Sequence, residues 1–157
     1  MTDAGFEIRL ATADDKAAIL ELLPRLGSFT LPPGRDSRDL WRHDAALLER
    51  WARGEADQCI VHVAVDDAGT VIGLVMTSLR PEMLSEAPSA HLEAIAVAPG
   101  TEGKGLGQSL IDTTEAAAKA AGAESITLHV FGTNSRARRL YERVGYREEI
   151  IRCWKAL

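Results

Sequence analysis

The stretch VAPGTEGKGLGQSLI, from Val97 to Ile111, places four glycines between a run typical of a strand and a run typical of a helix. Each glycine costs conformational entropy on folding, so a cluster of them indicates a backbone that needs unusual angles or close approach to another group. A glycine-rich turn at a helix start can bind an anion, because no side chains cover its backbone N–H groups and the helix N-terminus carries about half a positive charge. The stretch therefore predicts an anion-binding turn.

Two well-known glycine motifs fit this stretch only in part. A phosphate-binding P-loop needs G-x-x-x-x-G-K-[ST], but Ala98 stands at its first glycine and Gly105 follows Lys104. The dinucleotide pattern G-x-G-x-x-G fits Gly103 and Gly105 and then finds Gln108 at its third glycine. A plain solvent-exposed turn does not require glycine at alternate positions. The P-loop is excluded, and the dinucleotide site and the plain turn remain alternatives.

Outward from this stretch, hydrophobic spacing and turn residues predict alternating strands and helices. The predicted elements are a strand at Phe6–Thr12, helices at Ala13–Leu26 and Leu40–Gly54, a two-stranded hairpin within Cys59–Leu79, a strand at Ala90–Pro99, a helix at Leu106–Gly122, a strand at Ser125–Phe131, a helix at Ser135–Gly145 and a closing strand at Glu148–Leu157. Residues Gly27–Asp39 and Arg80–Ser89 are predicted loops. This order implies an α/β (α+β) fold with a mixed sheet and helices on both faces.

Composition narrows the class of protein. The 157 residues fit a single domain, 1–157, and the net charge of -5 argues against a nucleic-acid partner. Cys59 and Cys153 form no CxxC or Cys/His cluster, so we expect two buried thiols and no metal. No leader pattern opens the chain, and no apolar run approaches the roughly 18 residues of a membrane span, so we expect a cytoplasmic protein with no membrane partner.

Two motifs together resemble a known family. LEAIAVAPGTEGKGLGQSLID, followed by ITLHVFGTNSRARRLYERVGY, is similar to the GNAT superfamily of N-acetyltransferases, whose signature Q/R-x-x-G-x-G/A ends a strand and opens a helix. The resemblance implies a GNAT-like fold with a mostly antiparallel sheet, and acetyl-CoA as co-substrate without a metal. It also implies these cofactor-binding residues: Ile95, Ala96 and Val97 along the pantetheine arm; Gly103, Lys104, Gly105, Leu106, Gly107, Gln108 and Ser109 around the pyrophosphate; and Asn134, for which a helix cap is the alternative.

One residue departs from the family signature. Glu102 stands where the family carries Gln or Arg, so a carboxylate occupies a position that normally favours phosphate. Like charges repel, and Lys104 offsets only part of this charge. We therefore expect Glu102→Gln to tighten cofactor binding if the carboxylate faces the pyrophosphate.

The resemblance also implies the catalytic residues. Tyr141 matches the family's tyrosine acid, which protonates the departing thiolate; the alternative is a core aromatic beside Leu140 and Val144. Glu93 is the candidate base, acting through a water, and a solvated or ion-paired glutamate is its alternative. His91, two residues away, could assist or replace it.

These expectations describe an acetyl-CoA-dependent N-acetyltransferase in which a primary amine attacks directly in a ternary complex. A non-catalytic acyl-CoA-binding or sensory module with the same fold is the alternative, and a nucleotide-binding protein is a third. The acceptor, either a small-molecule amine or a protein amine, would lie against Pro32–Asp44 and Arg80–Pro88. A homodimer is left open.

Overall fold

The computed structural model describes residues 5–157, so residues 1–4, which belong to the stretch searched for a leader pattern, lie outside the described residues. Five strands are present: β1 Phe6–Leu10, β2 Cys59–Asp66, β3 Val71–Pro81, β4 Pro88–Val97 and β5 Ser125–Leu128. Four α-helices accompany them: α1 Lys16–Leu22, α2 Arg42–Ala52, α3 Leu106–Ala120 and α4 Ser135–Arg143. Short 3-10 helices occupy Ala13–Asp15, Leu23–Gly27 and Ser37–Leu40.

The strands form one sheet in the order β1-β2-β3-β4-β5. Successive pairs from β1 to β4 are antiparallel, because each is joined to the next by a connection that reverses the chain. The last pair, β4 with β5, is parallel and is connected through α3. The predicted mixed, mostly antiparallel sheet is confirmed.

Helices cover both faces of the sheet, as predicted. Along β2, Val61, Val63 and Val65 point to one face and pack under α1 and α2, while Ala64 points to the other face, under α3 and α4. This alternation is the period of two that a strand buried on both faces requires. Two apolar cores result, and the sheet separates them.

The regular alternation fails in β4. Met76 pairs with Ala94 and Thr77 pairs with Leu92, so Glu93 is an extra residue without a partner on β3. Leu92 consequently joins the core under α3 and α4 while Ala94 joins the opposite core, although two residues apart in a regular strand would share a face. The β-bulge therefore falls at Glu93, the residue that the sequence predicts to be the catalytic base.

The closing segment corrects one prediction. Residues 148–157 form no strand and are exposed, although their pattern is typical of one. Arg138 holds Glu148 at the start of the segment, and further on the ring of Trp154 lies 4.5 Å from the guanidinium of Arg35. Among the described strands, β5, which is four residues long, pairs only with β4. Cys153 is exposed, so the expected buried thiol is found only at Cys59.

Several boundaries also differ from the predicted ones. The first predicted helix divides into two 3-10 helices and α1, because Pro24 cannot continue the helical hydrogen bonding. The predicted loop at Arg80–Ser89 shrinks to residues 82–87, since β3 and β4 extend each other by pairing to Pro81 and Pro88. The predicted loop Gly27–Asp39 leads into a 3-10 helix at its end.

Candidate active site

The glycine turn opens α3 with backbone angles that favour glycine. Gly103 and Gly105 have φ of 78° and 77°, in the left-handed region, and Gly105 is the residue that precedes the helix. The N–H groups of Leu106, Gly107 and Gln108 form the first turn, where a helix offers them no acceptor. The N–H of Ser109 already donates to the Gly105 carbonyl at 3.0 Å, so this residue could reach an anion only through its hydroxyl.

The fourth glycine of the stretch differs from Gly103 and Gly105. Gly107 has no positive φ, and a Cβ there would lie 3.4 Å from the Cδ2 of Leu140 on α4, which is an ordinary van der Waals distance. Neither backbone angle nor packing against α4 therefore requires glycine at this position.

The carboxylate of Glu102 is tied down on two sides. It accepts a hydrogen bond from Arg25 Nη2 at 2.7 Å and another from the backbone N–H of Gly100 at 2.7 Å. Backbone hydrogen bonds, its own and that of Gly100, lower the pKa of Glu102, and Arg25 adds to the effect. The expected repulsive carboxylate is accordingly an ion-paired group of the turn.

Strand β5 pairs with β4 along its whole length, but it covers only part of the longer β4. Their register ends at Leu92 with Leu128, so the edge of β4 from Glu93 to Val97 has no strand beside it within residues 5–157. Ile95 and Val97 direct their side chains into the core under α3 and α4. Along this open edge, between the glycine turn and Glu93, the groups that could bind a ligand belong to the backbone.

Tyr141 lies on α4 and Asn134 immediately precedes this helix, as predicted. Tyr141 is buried, its ring lies edge-on to Tyr146 at 5.8 Å between centroids, and burial raises the pKa of its phenol to about 12. The Oδ1 of Asn134 accepts from the N–H of Ala137 at 3.2 Å, so this residue caps α4. Its amide NH2 is left for other partners.

Glu93 lies in a charged environment on the α1 and α2 side. Its side chain is 12% exposed and its carboxylate is 3.7 Å from Arg80 Nη1. Asp44, from α2, is buried and has no hydrogen-bond or ion-pair partner in the described part of the chain. Burial, and then the nearby Glu93 carboxylate, raise the pKa of Asp44 to about 7.

A row of polar side chains crosses the sheet beside these charges. Cys59 pairs with Ser78, Ser78 with His91 and His91 with Thr127, which places one residue from each of four strands on the same face. We call these four residues the polar row. His91 Nδ1 is 2.7 Å from Thr127 Oγ1, and its ring lies 4.8 Å from that of His129.

The protonation of two members of the polar row follows from burial. Burial, then Arg80 and His129, lower the pKa of His91 to about 4, so its imidazole is neutral at pH 7. Burial and the Glu93 carboxylate raise the pKa of Cys59 to about 11, so its thiol keeps its proton.

Sequence reasoning did not select Arg25, Arg80 or Asp44 individually. Asp44 and Arg80 lie at the ends of the two segments predicted to face the acceptor, and tertiary structure brings both to Glu93. An aspartate amid the apolar positions of α2 was a usable signal, because such positions normally face the core. Arg25 is 77 residues from Glu102, and nothing local relates them.

Two properties of residues 5–157 concern membranes and metals. No described helix is both long enough and apolar enough to cross a membrane. Within the same residues, no group of three or more potential ligands from His, Cys, Asp and Glu comes together in a way that could hold a metal ion.

The fold and the motifs define a class. The model of the acetyltransferase (GNAT) family matches residues 21–146, most of the chain. The chain belongs to the GNAT family, which confirms the resemblance seen in the sequence.

Individual relatives give a narrower comparison. A mycothiol acetyltransferase from Propionibacterium freudenreichii subsp. shermanii is 35% identical over 97 residues, which are 62% of this chain and 30% of that protein. This chain thus spans less than a third of the length of the curated relatives it matches.

Solved structures share the fold over nearly the whole chain. The ribosomal-protein-alanine N-acetyltransferase of Brucella melitensis biovar Abortus 2308 aligns with a TM-score of 0.70 and 20% identity, over 97% of this chain and 99% of that one. AAC(6')-Iy in complex with the bisubstrate analogue CoA-S-monomethyl-acetylneamine aligns with a TM-score of 0.71 and 19% identity, over 97% and 98%.

Proposed function

We propose that this protein is an N-acetyltransferase that moves the acetyl group of acetyl-CoA to a primary amine. The observation that carries the proposal is the unpaired edge of β4, which runs from the glycine turn to Glu93. An extended amide chain can bind such an edge like an added strand. Family membership supports the same cofactor.

Each part of the cofactor has a matching surface. The free N–H groups at the start of α3, with Lys104 nearby, suit a pyrophosphate, which binds a helix N-terminus. On this open edge, the backbone N–H and carbonyl of Ile95 and the N–H of Val97 suit the amides of the pantetheine arm, while the Val97 carbonyl already accepts from Arg25 Nε at 3.3 Å. Ala96, which the sequence also selected, directs its backbone groups toward β3, because the N–H of Ala98, two residues on, donates to the Ile72 carbonyl. The NH2 of Asn134 remains a candidate cofactor contact on the opposite wall.

Direct transfer requires a neutral amine. The amine nitrogen forms a bond to the thioester carbonyl carbon, the C–S bond breaks, and the thiolate leaves. At pH 7, deprotonation of a lysine-like amine with a pKa of about 10.4 costs about 4.6 kcal/mol of free energy, so a base is valuable. Glu93, which stands at the bulge of β4 with its side chain 12% exposed, takes this proton through a water.

Tyr141 supplies the proton that the thiolate receives. A phenol whose pKa is raised to about 12 keeps its proton at neutral pH, so Tyr141 carries the proton to be donated, while the same burial makes it a weaker acid than an ordinary phenol. The pKa of His91 is lowered to about 4, so its imidazole is neutral at pH 7 and only weakly basic. We therefore assign His91 to hydrogen bonding with the acceptor and keep Glu93 as the base.

The acceptor class is proposed from charge. Asp44 and Glu93 place two carboxyl groups near each other, with Arg80 as the cation beside them. Matched proteins are named for acceptors such as mycothiol, an aminoglycoside and a ribosomal-protein alanine. We favour a small-molecule amine, and a protein amine and a homodimer remain open proposals.

Calorimetry and turnover test the proposal. CoA should bind the folded protein, and no heat at millimolar CoA would rule out the cofactor site. A free-thiol assay over a panel of small amines and peptide amines should then release CoA from acetyl-CoA. Binding without turnover on any amine would favour a non-catalytic acyl-CoA-binding module.

A further inference from the structure

Arg25 reaches two groups at the end of β4. Its Nη2 donates to Glu102 Oε1 at 2.7 Å, and its Nε donates to the carbonyl oxygen of Val97 at 3.3 Å. Arg25 itself belongs to the 3-10 helix Leu23–Gly27, which follows α1. One guanidinium therefore joins the N-terminal helical layer to the strand end and to the turn that follows it.

The turn consists of a fixed half, residues 98–102, which hydrogen bonds hold in place, and a free half, residues 103–105. In the fixed half, Glu102 accepts from the N–H of Gly100, and both the N–H and the hydroxyl of Thr101 donate to the Ala98 carbonyl, the hydroxyl at 2.6 Å. In the free half, a Cβ on Gly103 or Gly105 would meet nothing within 4 Å. The fixed half thus precedes the free half, which leads directly into the first turn of α3.

We propose that Arg25 and Glu102 act as one unit, a clamp that positions the glycine turn for the cofactor pyrophosphate. The inference rests on the proposed acetyl-CoA site. It makes both residues positioning residues, since their paired atoms bind each other and the backbone. It also reverses the expectation from sequence: removing the Glu102 charge should weaken cofactor binding, because the carboxylate is neutralised and holds the turn.

Three variants separate the clamp from simple charge effects. Arg25→Met leaves the Glu102 carboxylate unpaired beside an anion site, so we expect CoA to bind about tenfold more weakly. Glu102→Gln keeps the shape and loses one of two charged hydrogen bonds, so we expect a loss of about threefold. In the double variant the unpaired carboxylate is gone, so CoA should bind more tightly than to Arg25→Met alone.

Lys16→Met is the matched control. Lys16 forms an ion pair with Glu49 at 3.1 Å between α1 and α2, with exposure similar to that of the Arg25 pair, and it lies outside the glycine turn. This variant should leave the CoA affinity unchanged. Thermal melting of each variant, and of Arg25→Lys as well, shows whether a loss of CoA binding comes from unfolding.

The readout is titration calorimetry with CoA and with its nucleotide half, 3′-phospho-ADP, which retains the pyrophosphate. The clamp predicts equal fold losses for both probes and the rescue of Arg25→Met by Glu102→Gln. Tighter binding by Glu102→Gln, no rescue in the double variant, or a loss confined to CoA would each overturn it. A wild-type protein that binds neither probe would instead refute the proposed function on which the clamp rests.

Discussion

Asp44 illustrates how the environment of one residue sets its charge. Its carboxyl group is buried beside Glu93, and these two causes raise its pKa to about 7. The unfolded chain ionises this group near pH 3.9, so the folded state is penalised increasingly as pH rises from about 4 to about 7. The group is retained at a cost to stability, which is typical of functional sites.

Asp44→Asn should therefore stabilise the protein above pH 7, by about 1–3 kcal/mol, because it removes a buried charge that has no ion-pair partner within residues 5–157. The gain over the wild type should shrink as pH falls from 7 to 4. Urea unfolding at a series of pH values measures it. A gain that is independent of pH would mean that Asp44 is not coupled to folding through its ionisation.

Tyr141→Phe tests the acid. The change keeps the ring that packs against Tyr146 and removes only the hydroxyl, so we expect kcat to fall about 100-fold or more while CoA affinity changes little. Steady-state kinetics together with calorimetry provide both values. If kcat were unchanged, Tyr141 would be a packing residue, which is the alternative that the sequence left open.

At the scale of single elements, the start of α3 depends on one left-handed residue. Gly105 has φ of 77°, and an L side chain there costs about 1–2 kcal/mol. Gly105→Ala should lower the melting temperature and weaken CoA binding, because the first N–H groups of the helix move. Gly132→Ala is the control, since Gly132 has no positive φ and a Cβ there meets nothing within 4 Å. Equal effects of the two changes would remove the special role of Gly105.

Strand β4 marks the limit of pattern reasoning for an element. The run AHLEAIAV is typical of a strand, and the structure confirms a strand there. The pattern does not indicate that Glu93 is an extra residue, because bulges depend on how two strands fit side by side. The position of the candidate base at a bulge is thus a property of the β3–β4 pair.

At the scale of the molecule, one half-buried ion pair joins the sheet to the helical layer. Arg9 on β1 donates two hydrogen bonds to Asp15, at 2.8 and 2.9 Å, and the N–H of Thr12 donates a third to the same carboxylate. The Arg9 hydrogen bonds, reinforced by Thr12, lower the pKa of Asp15 to about 2. The resulting stability is present above the unfolded pKa of about 3.9 and is lost as pH falls through about 2.

Asp15→Asn should accordingly destabilise the protein at pH 7, since an amide accepts weaker hydrogen bonds from arginine. Solvent around the partly exposed Arg9 screens the pair, so we expect a loss of about 1 kcal/mol. The difference from the wild type should shrink as pH falls from about 4 and vanish only below about pH 2. Thermal unfolding followed by circular dichroism across this pH range measures it. A difference that stays constant across the range would mean that lost packing, and not the charge, causes the destabilisation.

Local patterns predicted most of the architecture and failed at the end of the chain. The order of strands and helices from Phe6 to Gly145 was correct, because the period of hydrophobic residues reports which faces are buried. The closing strand at Glu148–Leu157 was wrong: the segment is exposed, and its Trp154 contacts Arg35, which is far away in the chain and which no local pattern relates to it. The segment has a strand pattern but no paired strand within residues 5–157.

The sequence by itself determined the family, the mixed sheet with helices on both faces, and the glycine turn at the start of α3. These are local: propensity, hydrophobic period and glycine spacing act between near neighbours. Only the tertiary structure decided that Glu102 is neutralised by Arg25, that Glu93 stands at a bulge, and that Asp44 reaches it from α2. Ion pairs and pKa values depend on distances between groups far apart in the chain, and folding alone sets those distances.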